Sequence, residues 1–155
     1  MFQPTALPSV RTQALLHAAG RPRGVGPAFA DVAETFRKHG GLWDGDELAG
    51  ALRPCIDQPV SCIARMIASR RMLSLGQNVR IFVPQFQFSD RLTVRPDVGR
   101  VIAELVDVLD DHELATWFAT DNAWLGGAKP VAMIAIDPDA VHATARADRY
   151  VATGG

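Results

Sequence analysis

The sequence predicts a mainly α-helical protein, in which a winged-helix-like helix-turn-helix with a small β-hairpin precedes a compact domain of four helices. Apolar residues recur every three or four positions along most of the chain, which is typical of amphipathic helices. Helix-capping residues precede several of these stretches. Only one pair of short segments, around residues 72–83, favours strands. We expect a flexible arm over residues 1–27, the helix-turn-helix domain over 28–95 and the helical domain over 96–155.

The composition excludes several classes of protein. Of the 155 residues, 48% are hydrophobic, which is enough for one or two cores. Two cysteines are too few for a disulfide-rich scaffold. The sequence contains no run of about 18 apolar residues, which a membrane-spanning helix would need. The N-terminus, Met1-Phe2-Gln3-Pro4, lacks the basic and apolar regions of a signal peptide, so we expect a cytoplasmic protein.

The net charge of −1 conceals two oppositely charged segments. Residues 46–95 contain seven arginines and four acidic residues, whereas residues 96–155 contain ten acidic and four basic residues. Such an asymmetry favours two surfaces with different partners, although an excess of three positive charges is also compatible with an ordinary solvated surface.

Residues 1–45 contain the arm and a first helix. Four prolines and a glycine-rich stretch at 20–26 favour a flexible arm, with one short helix at Thr12–Ala19. The next helix carries an apolar face and ends at Gly40-Gly41. The residues of that face are Phe29, Val32, Ala33 and Phe36.

A helix-turn-helix is predicted between Asp44 and Arg71. Asp44 and Glu47 have the spacing of a capping box, which would begin a short helix over 46–52. Asp57-Gln58-Pro59 would begin a second helix. Its shared apolar face would contain Val60, Ile63, Ala64 and Ile67. Two short helices joined by a tight polar turn are typical of a helix-turn-helix, and also of many small helical proteins that bind no DNA.

A hairpin is predicted to follow, with strands at 72–75 and 79–83 around a turn at 76–78. The second helix and this hairpin would present polar and basic side chains suited to phosphates or guanine edges. The candidate DNA-binding residues are Ser61, Arg65, Arg70, Arg71 and Arg80. The alternative interpretation is that these arginines only keep a small domain soluble.

The segment at 84–96 joins the two halves. Phe86 and Phe88 are interpreted as core residues, in preference to a stacking platform for single-stranded bases, because no basic residue is interleaved with them. Residues 89–96 are interpreted as a linker.

Four helical segments are predicted after residue 95. The first has a continuous apolar stripe from Val98 to Leu109, and the second runs from about Asp111 to Thr120. Pro130 would begin a third helix, and Asp137 would cap the last one. The end of the chain, 150–155, is interpreted as a tail with no fixed conformation.

No catalytic motif is found, so we expect no enzyme and no cofactor. The four histidines are scattered, and His112-Glu113 lacks the second histidine of a helical zinc site. Cys55 and Cys62 match neither a zinc ribbon nor a redox pair. We expect both thiols to be reduced.

The C-terminal third nevertheless contains a recognisable pattern. Trp117-Phe, Asn122, Leu125-Gly126, Pro130, Met133-Ile134 and Asp137-Pro…Val141 follow one another at fixed spacing. This pattern resembles the toxin-binding domain of Xre/MbcA/ParS-type antitoxins and covers about residues 96–154. The resemblance implies a helical domain that forms a homodimer and binds a cognate toxin, commonly a RES-type enzyme that consumes NAD. The partner-binding residues it implies are Trp117, Asn122, Leu125, Gly126, Pro130, Arg149 and Tyr150.

Residues 28–95 depart from that family, because its members usually carry a four- or five-helix DNA-binding domain there. The first hypothesis is therefore a non-enzymatic antitoxin of a type II toxin-antitoxin system that binds its toxin and double-stranded DNA. The alternative is a stand-alone DNA-binding transcriptional regulator whose C-terminal helices form a dimer. Neither hypothesis involves a membrane.

Overall fold

The computed structural model of the protein describes residues 29–155. The predicted arm at 1–27 and its helix at Thr12–Ala19 lie outside this range. Between residues 29 and 155 the chain is mainly helical, with seven α-helices, two 3-10 turns and three strands. In chain order they are α1 (Phe29–Arg37), β1 (Leu42–Asp44), α2 (Gly45–Leu52), α3 (Pro59–Ala68), β2 (Leu75–Gln77), β3 (Arg80–Pro84), a 3-10 turn (Gln85–Gln87), α4 (Pro96–Leu105), α5 (Asp111–Ala119), a 3-10 turn (Ala123–Leu125), α6 (Pro130–Met133) and α7 (Pro138–Ala152).

The three strands form one antiparallel sheet in the order β1-β3-β2. Trp43 pairs with Val83, and Gly76 pairs with Ile81. β2 and β3 are joined by the two-residue turn Asn78-Val79, in which Asn78 has φ 55°, a conformation that asparagine tolerates better than most residues. The predicted hairpin is therefore present, but its first strand is Leu75–Gln77 instead of 72–75, and its turn is Asn78-Val79 instead of 76–78.

The side chain of Gln87 explains why residues 72–74 are not part of a strand. Gln87 is fully buried, and its Oε1 accepts a hydrogen bond from the backbone N–H of Leu73 at 2.7 Å. Its Nε2 donates to the carbonyl oxygens of Leu73 and Pro84, at 3.0 Å each. Because the amide satisfies both backbone groups of Leu73, this buried segment needs no partner strand.

The predicted helix boundaries at α1, α2 and α3 are close to those observed. The side chain of Asp44 accepts from the backbone N–H of Glu47, and the Glu47 carboxylate accepts from that of Asp44, so the capping box is confirmed. Pro59 occupies the first turn of α3. The predicted apolar face of α3 is partly wrong, because Val60 is 66% exposed while Pro59 and Ile63 are buried.

One hydrophobic cluster joins elements from both halves of the chain. Val32 and Phe36 of α1 and Leu75 of β2 belong to the same cluster as the buried faces of α4 to α7. Phe86 lies between Phe36 and Phe118, with ring centroids 5.3 Å apart in both pairs. Phe86 is therefore a packing residue, and so is Phe88, which stacks on Trp43 at 6.1 Å.

The C-terminal helices follow the predicted order, with two corrections. α4 buries the predicted stripe but ends at Leu105, so Val108 and Leu109 are only partly buried. The tail predicted at 150–155 is ordered. α7 continues to Ala152, and the N–H of Gly155 donates to the carbonyl of Tyr150 at 2.9 Å. Gly154 and Gly155 have positive φ angles, which suit the end of a helix.

Candidate nucleic-acid and partner interfaces

The outer face of α3 presents Ser61 and Arg65 one helical turn apart. Both side chains are exposed, because Pro59 and Ile63 direct the opposite face of the helix into the protein. In residues 29–155 no hydrogen bond or ion pair involves the Arg65 guanidinium. Five donors on an exposed, unpaired fork are available to an anion.

Arg71 lies just beyond the end of α3 and is also exposed. No acidic residue within the described range pairs with it. A shallow depression of about 610 Å³ runs along this side of α3, and Arg65, Ser69 and Arg71 line it. Ser61, Arg65 and Arg71 therefore belong to one exposed, positively charged surface, which we call the α3 face.

Arg70 points away from the α3 face, although its neighbour Arg71 belongs to it. Its Nε donates to Oδ1 of Asp111 at 2.9 Å. Its Nη1 and Nη2 donate to the carbonyl oxygens of Val106 and Leu109, at 2.6 Å each. These carbonyls follow the end of α4, where unpaired oxygens favour a cation. The guanidinium therefore holds α3 to the α4–α5 connection.

Arg80 begins β3 and is likewise engaged within the protein. Its Nη2 donates to Oδ2 of Asp44, and its guanidinium carbon lies 5.3 Å from the centroid of the Phe82 ring. The hydrogen bond from the Glu47 backbone N–H lowers the pKa of the Asp44 carboxyl below its usual value, and the hydrogen bond and positive charge of Arg80 add to this effect, while desolvation opposes it. Arg80 still has 61% of its side chain exposed, so its outer edge faces solvent.

The structure separates the five candidate DNA-binding residues into two groups. Ser61, Arg65 and Arg71 lie together on the α3 face, while Arg70 and Arg80 bind acceptors of the protein itself. Sequence reasoning treated the four arginines alike. Their difference depends on acceptors more than 35 residues away along the chain, Asp111 for Arg70 and Asp44 for Arg80.

In the C-terminal half, Trp117 and Asn122 support the fold from inside. Both are only 4% exposed. The indole N–H of Trp117 and the side-chain amide of Asn122 donate to Oδ2 of Asp148, at 2.7 and 2.9 Å. Asn122 also accepts from the Trp124 N–H at 3.0 Å, which caps the second 3-10 turn. This network fixes that turn against α7.

Three further residues of the pattern shape the same turn. Pro130 begins α6 and is buried, and Leu125 packs partly buried against the main cluster. Gly126 ends the 3-10 turn with φ 65°, a left-handed conformation that glycine adopts without strain. Pro130, Leu125 and Gly126 therefore determine the shape of this turn, and a partner would contact the exposed side chains that the turn carries.

Arg149 and Tyr150 are exposed on the last turns of α7. Arg149 Nη1 donates to Glu104 at 3.2 Å, and Tyr150 is 66% exposed. Sequence reasoning missed Trp124, which is also 66% exposed and lies on the 3-10 turn that packs against α7. Its position in a loop before two glycines was the available signal. The term α7 surface is used below for the exposed apolar side chains on α7 and on the turn packed against it, namely Trp124, Tyr150 and Val151.

No group of three histidine, cysteine or acidic side chains suited to a metal occurs within residues 29–155. Both cysteines are free. No helix in this range combines the length and the apolar character needed to cross a bilayer.

Comparison with known proteins adds no family. No family model, no curated protein and no solved structure matches the chain.

Proposed function

We propose that the protein is a non-enzymatic, antitoxin-like protein that binds double-stranded DNA and a partner toxin through separate surfaces. The observation that carries the DNA half of the proposal is the pairing of β1 with β3. With it, the order α1-β1-α2-α3-β2-β3 and the sheet order β1-β3-β2 support the proposal of a winged helix, in which α3 would be the recognition helix. The exposed arginines of the α3 face lie on that helix or directly beyond it.

The DNA-binding role is tested by the salt dependence of binding. Fluorescence anisotropy measures the affinity of the full chain for a fragment of its own promoter at several salt concentrations. The plot of log K against log salt concentration has a negative slope, and each phosphate contact contributes about 0.9 to its magnitude. We expect the Arg65→Ala/Arg71→Ala double variant to reduce that magnitude by about 2, so that the plot becomes less steep.

Arg146→Ala is the control for the loss of one exposed arginine, because Arg146 is exposed on α7 and has no ion pair in the described range. It should leave the slope unchanged. A wild-type protein whose DNA binding does not vary with salt contradicts the DNA proposal.

The partner-binding half of the proposal is supported by the α7 surface. Aromatic side chains that are exposed in the free protein and held on rigid elements are typical of binding hot spots. Asp148 anchors the Trp124 turn to α7, so Trp124 and Tyr150 are held on two connected elements. The excess of six negative charges in residues 96–155 favours a basic partner and fast association. The resemblance implies that the partner is a cognate toxin, which in that family is commonly of the RES type.

The test is co-expression of the chain with the product of the neighbouring reading frame, scored by growth rescue and co-purification. Trp124→Ala should weaken the complex by at least about 30-fold, since hot-spot truncations cost about 2 kcal/mol or more. Val79→Ala, at a fully exposed apolar residue of the hairpin turn, is the matched control and should have no effect. Equal affinities for both variants would contradict the role of the α7 surface.

The same surface also suits the alternative, a stand-alone regulator that dimerises through its C-terminal helices. Both hypotheses include a homodimer, so a dimer in sedimentation does not separate them. The alternative predicts that Trp124→Ala converts the dimer of the chain alone into a monomer. The antitoxin hypothesis predicts that Trp124→Ala weakens toxin binding and leaves the oligomeric state of the chain unchanged.

A further inference from the structure

A groove of about 440 Å³ separates the carboxyl end of α3 from α4. Its walls are largely apolar, with Met66 on α3 facing Ile102 and Val106 on the other side. Arginines line the groove as well, namely Arg70, Arg71 and Arg95. No carboxylate belongs to the lining. A concave, mainly apolar site of this volume with a few polar groups is typical of small-molecule binding sites.

The charge of the groove comes chiefly from Arg71. Arg70 is paired with Asp111, and Arg95 donates to Asp97 at 2.5 Å, so both have partners outside the groove. Arg71 is exposed and has no ion pair between residues 29 and 155. The groove therefore combines apolar walls with one uncompensated positive charge.

Gly99 sets the width of the groove at its α4 wall. It lies inside α4, where glycine costs about 0.5–1 kcal/mol relative to alanine. A Cβ atom at this position would meet no other atom within 4 Å, so no packing among the described residues requires glycine there. Gly99 lines the groove and widens it. A bound molecule would use the space that the missing side chain leaves.

We propose that this groove binds a small organic carboxylate with an apolar body. The apolar body lies over Gly99 between Met66 and Val106, which are both partly exposed, and there it removes apolar wall from water. The carboxylate pairs with Arg71 at the rim, where the guanidinium offers two parallel donors. The proposal requires neither DNA nor toxin binding, so it stands or fails independently of the proposed function.

The probe is 4-phenylbutyrate, and its neutral analogue 4-phenylbutanol is the comparison. Two-dimensional ¹H–¹⁵N NMR of the full chain follows the backbone amides during titration. We expect the carboxylate to shift the amides of Ser69, Gly99 and Ala103, with a dissociation constant on the order of 1 mM, as for a ligand of this size. The alcohol should bind about 5-fold more weakly, because it lacks a partly exposed ion pair.

Two variants separate the apolar site from the charge. Gly99→Phe fills the groove and should weaken 4-phenylbutyrate at least 10-fold, while Gly50→Phe, at a helix-interior glycine of α2 with equally open surroundings, should not. Arg71→Ala should remove the preference for the carboxylate over the alcohol, while Arg146→Ala should keep it. The spectrum of each variant verifies its fold, and Gly99→Leu replaces Gly99→Phe if the latter is unfolded.

Three results would overturn the proposal. The first is the absence of shifts at the groove amides. The second is equal affinity of the wild-type chain for the carboxylate and the alcohol, and the third is unchanged binding to a folded chain whose groove is filled at residue 99.

Discussion

Replacing Arg70 with alanine tests whether one side chain holds α3 to the α4–α5 connection. The change removes two hydrogen bonds of 2.6 Å to the carbonyls of Val106 and Leu109, and one of 2.9 Å to Asp111. A hydrogen bond to a charged group contributes about 1.5–3 kcal/mol, and the lower value applies to each carbonyl bond because the Arg70 side chain is 30% exposed. The Asp111 pair contributes about 0.5–1 kcal/mol, since its side chains are 30% and 43% exposed and water screens them. We expect Arg70→Ala to lower the free energy of unfolding by about 3.5–4 kcal/mol.

Arg70→Gly separates the side chain from the backbone. Arg70 has φ 54°, a left-handed conformation that costs about 1–2 kcal/mol for residues with a Cβ. Glycine loses the same hydrogen bonds as alanine but relieves this strain. Arg70→Gly should therefore be about 1 kcal/mol more stable than Arg70→Ala.

Urea unfolding followed by circular dichroism gives these free energies. Arg71→Ala is the matched control, because Arg71 is exposed and has no ion pair in the described range, and it should change stability by less than about 0.5 kcal/mol. Two results would refute the reasoning: a loss below about 0.5 kcal/mol in Arg70→Ala, or a glycine variant no more stable than the alanine variant.

Three further predictions concern stability. Gln87→Ala should cost about 3 kcal/mol in urea unfolding, because the buried N–H and C=O of Leu73 lose their partners. The pKa of Asp44 is below its usual 3.8, so the ionised carboxylate stabilises the folded protein above that pH. As the pH falls below 3.8 this stabilisation is lost. Acid titration should therefore destabilise the wild-type protein more than Asp44→Asn. Gly99→Ala and Gly50→Ala should each raise the thermal midpoint, because alanine stabilises a helix interior by about 0.5–1 kcal/mol relative to glycine. A lower midpoint in either variant would contradict the open space around that glycine.

The helices were predictable because their signals are local. Asp44 and Asp137 cap helices through hydrogen bonds to residues three positions ahead, so both are visible in a short window of sequence. The stripe of α4 also repeats within one element. β1 was missed because Leu42–Asp44 is too short for a periodic pattern, and its existence depends on pairing with β3 forty residues later.

The candidate sites were predicted less completely, for the same physical reason. Residue type indicated that Arg70 and Arg71 are suited to anions, yet only the fold directs Arg70 to Asp111 and leaves Arg71 exposed. Similarly, Trp117 and Trp124 lie only seven residues apart in the sequence. The first is 4% exposed and donates to Asp148, while the second is 66% exposed. Side-chain direction relative to distant elements is absent from a local pattern.

The sequence by itself determined the helical class of this protein, the capped starts of α2 and α7, and the division of charge between a basic middle and an acidic end. These properties depend on residues within a few positions of one another, or on composition alone. Only the tertiary structure decided that β1 completes a three-stranded sheet, that one hydrophobic cluster joins both halves, and which arginines and tryptophans face solvent. Those properties arise from contacts between residues far apart in the chain. Whether a side chain is buried or exposed is decided only when these contacts form.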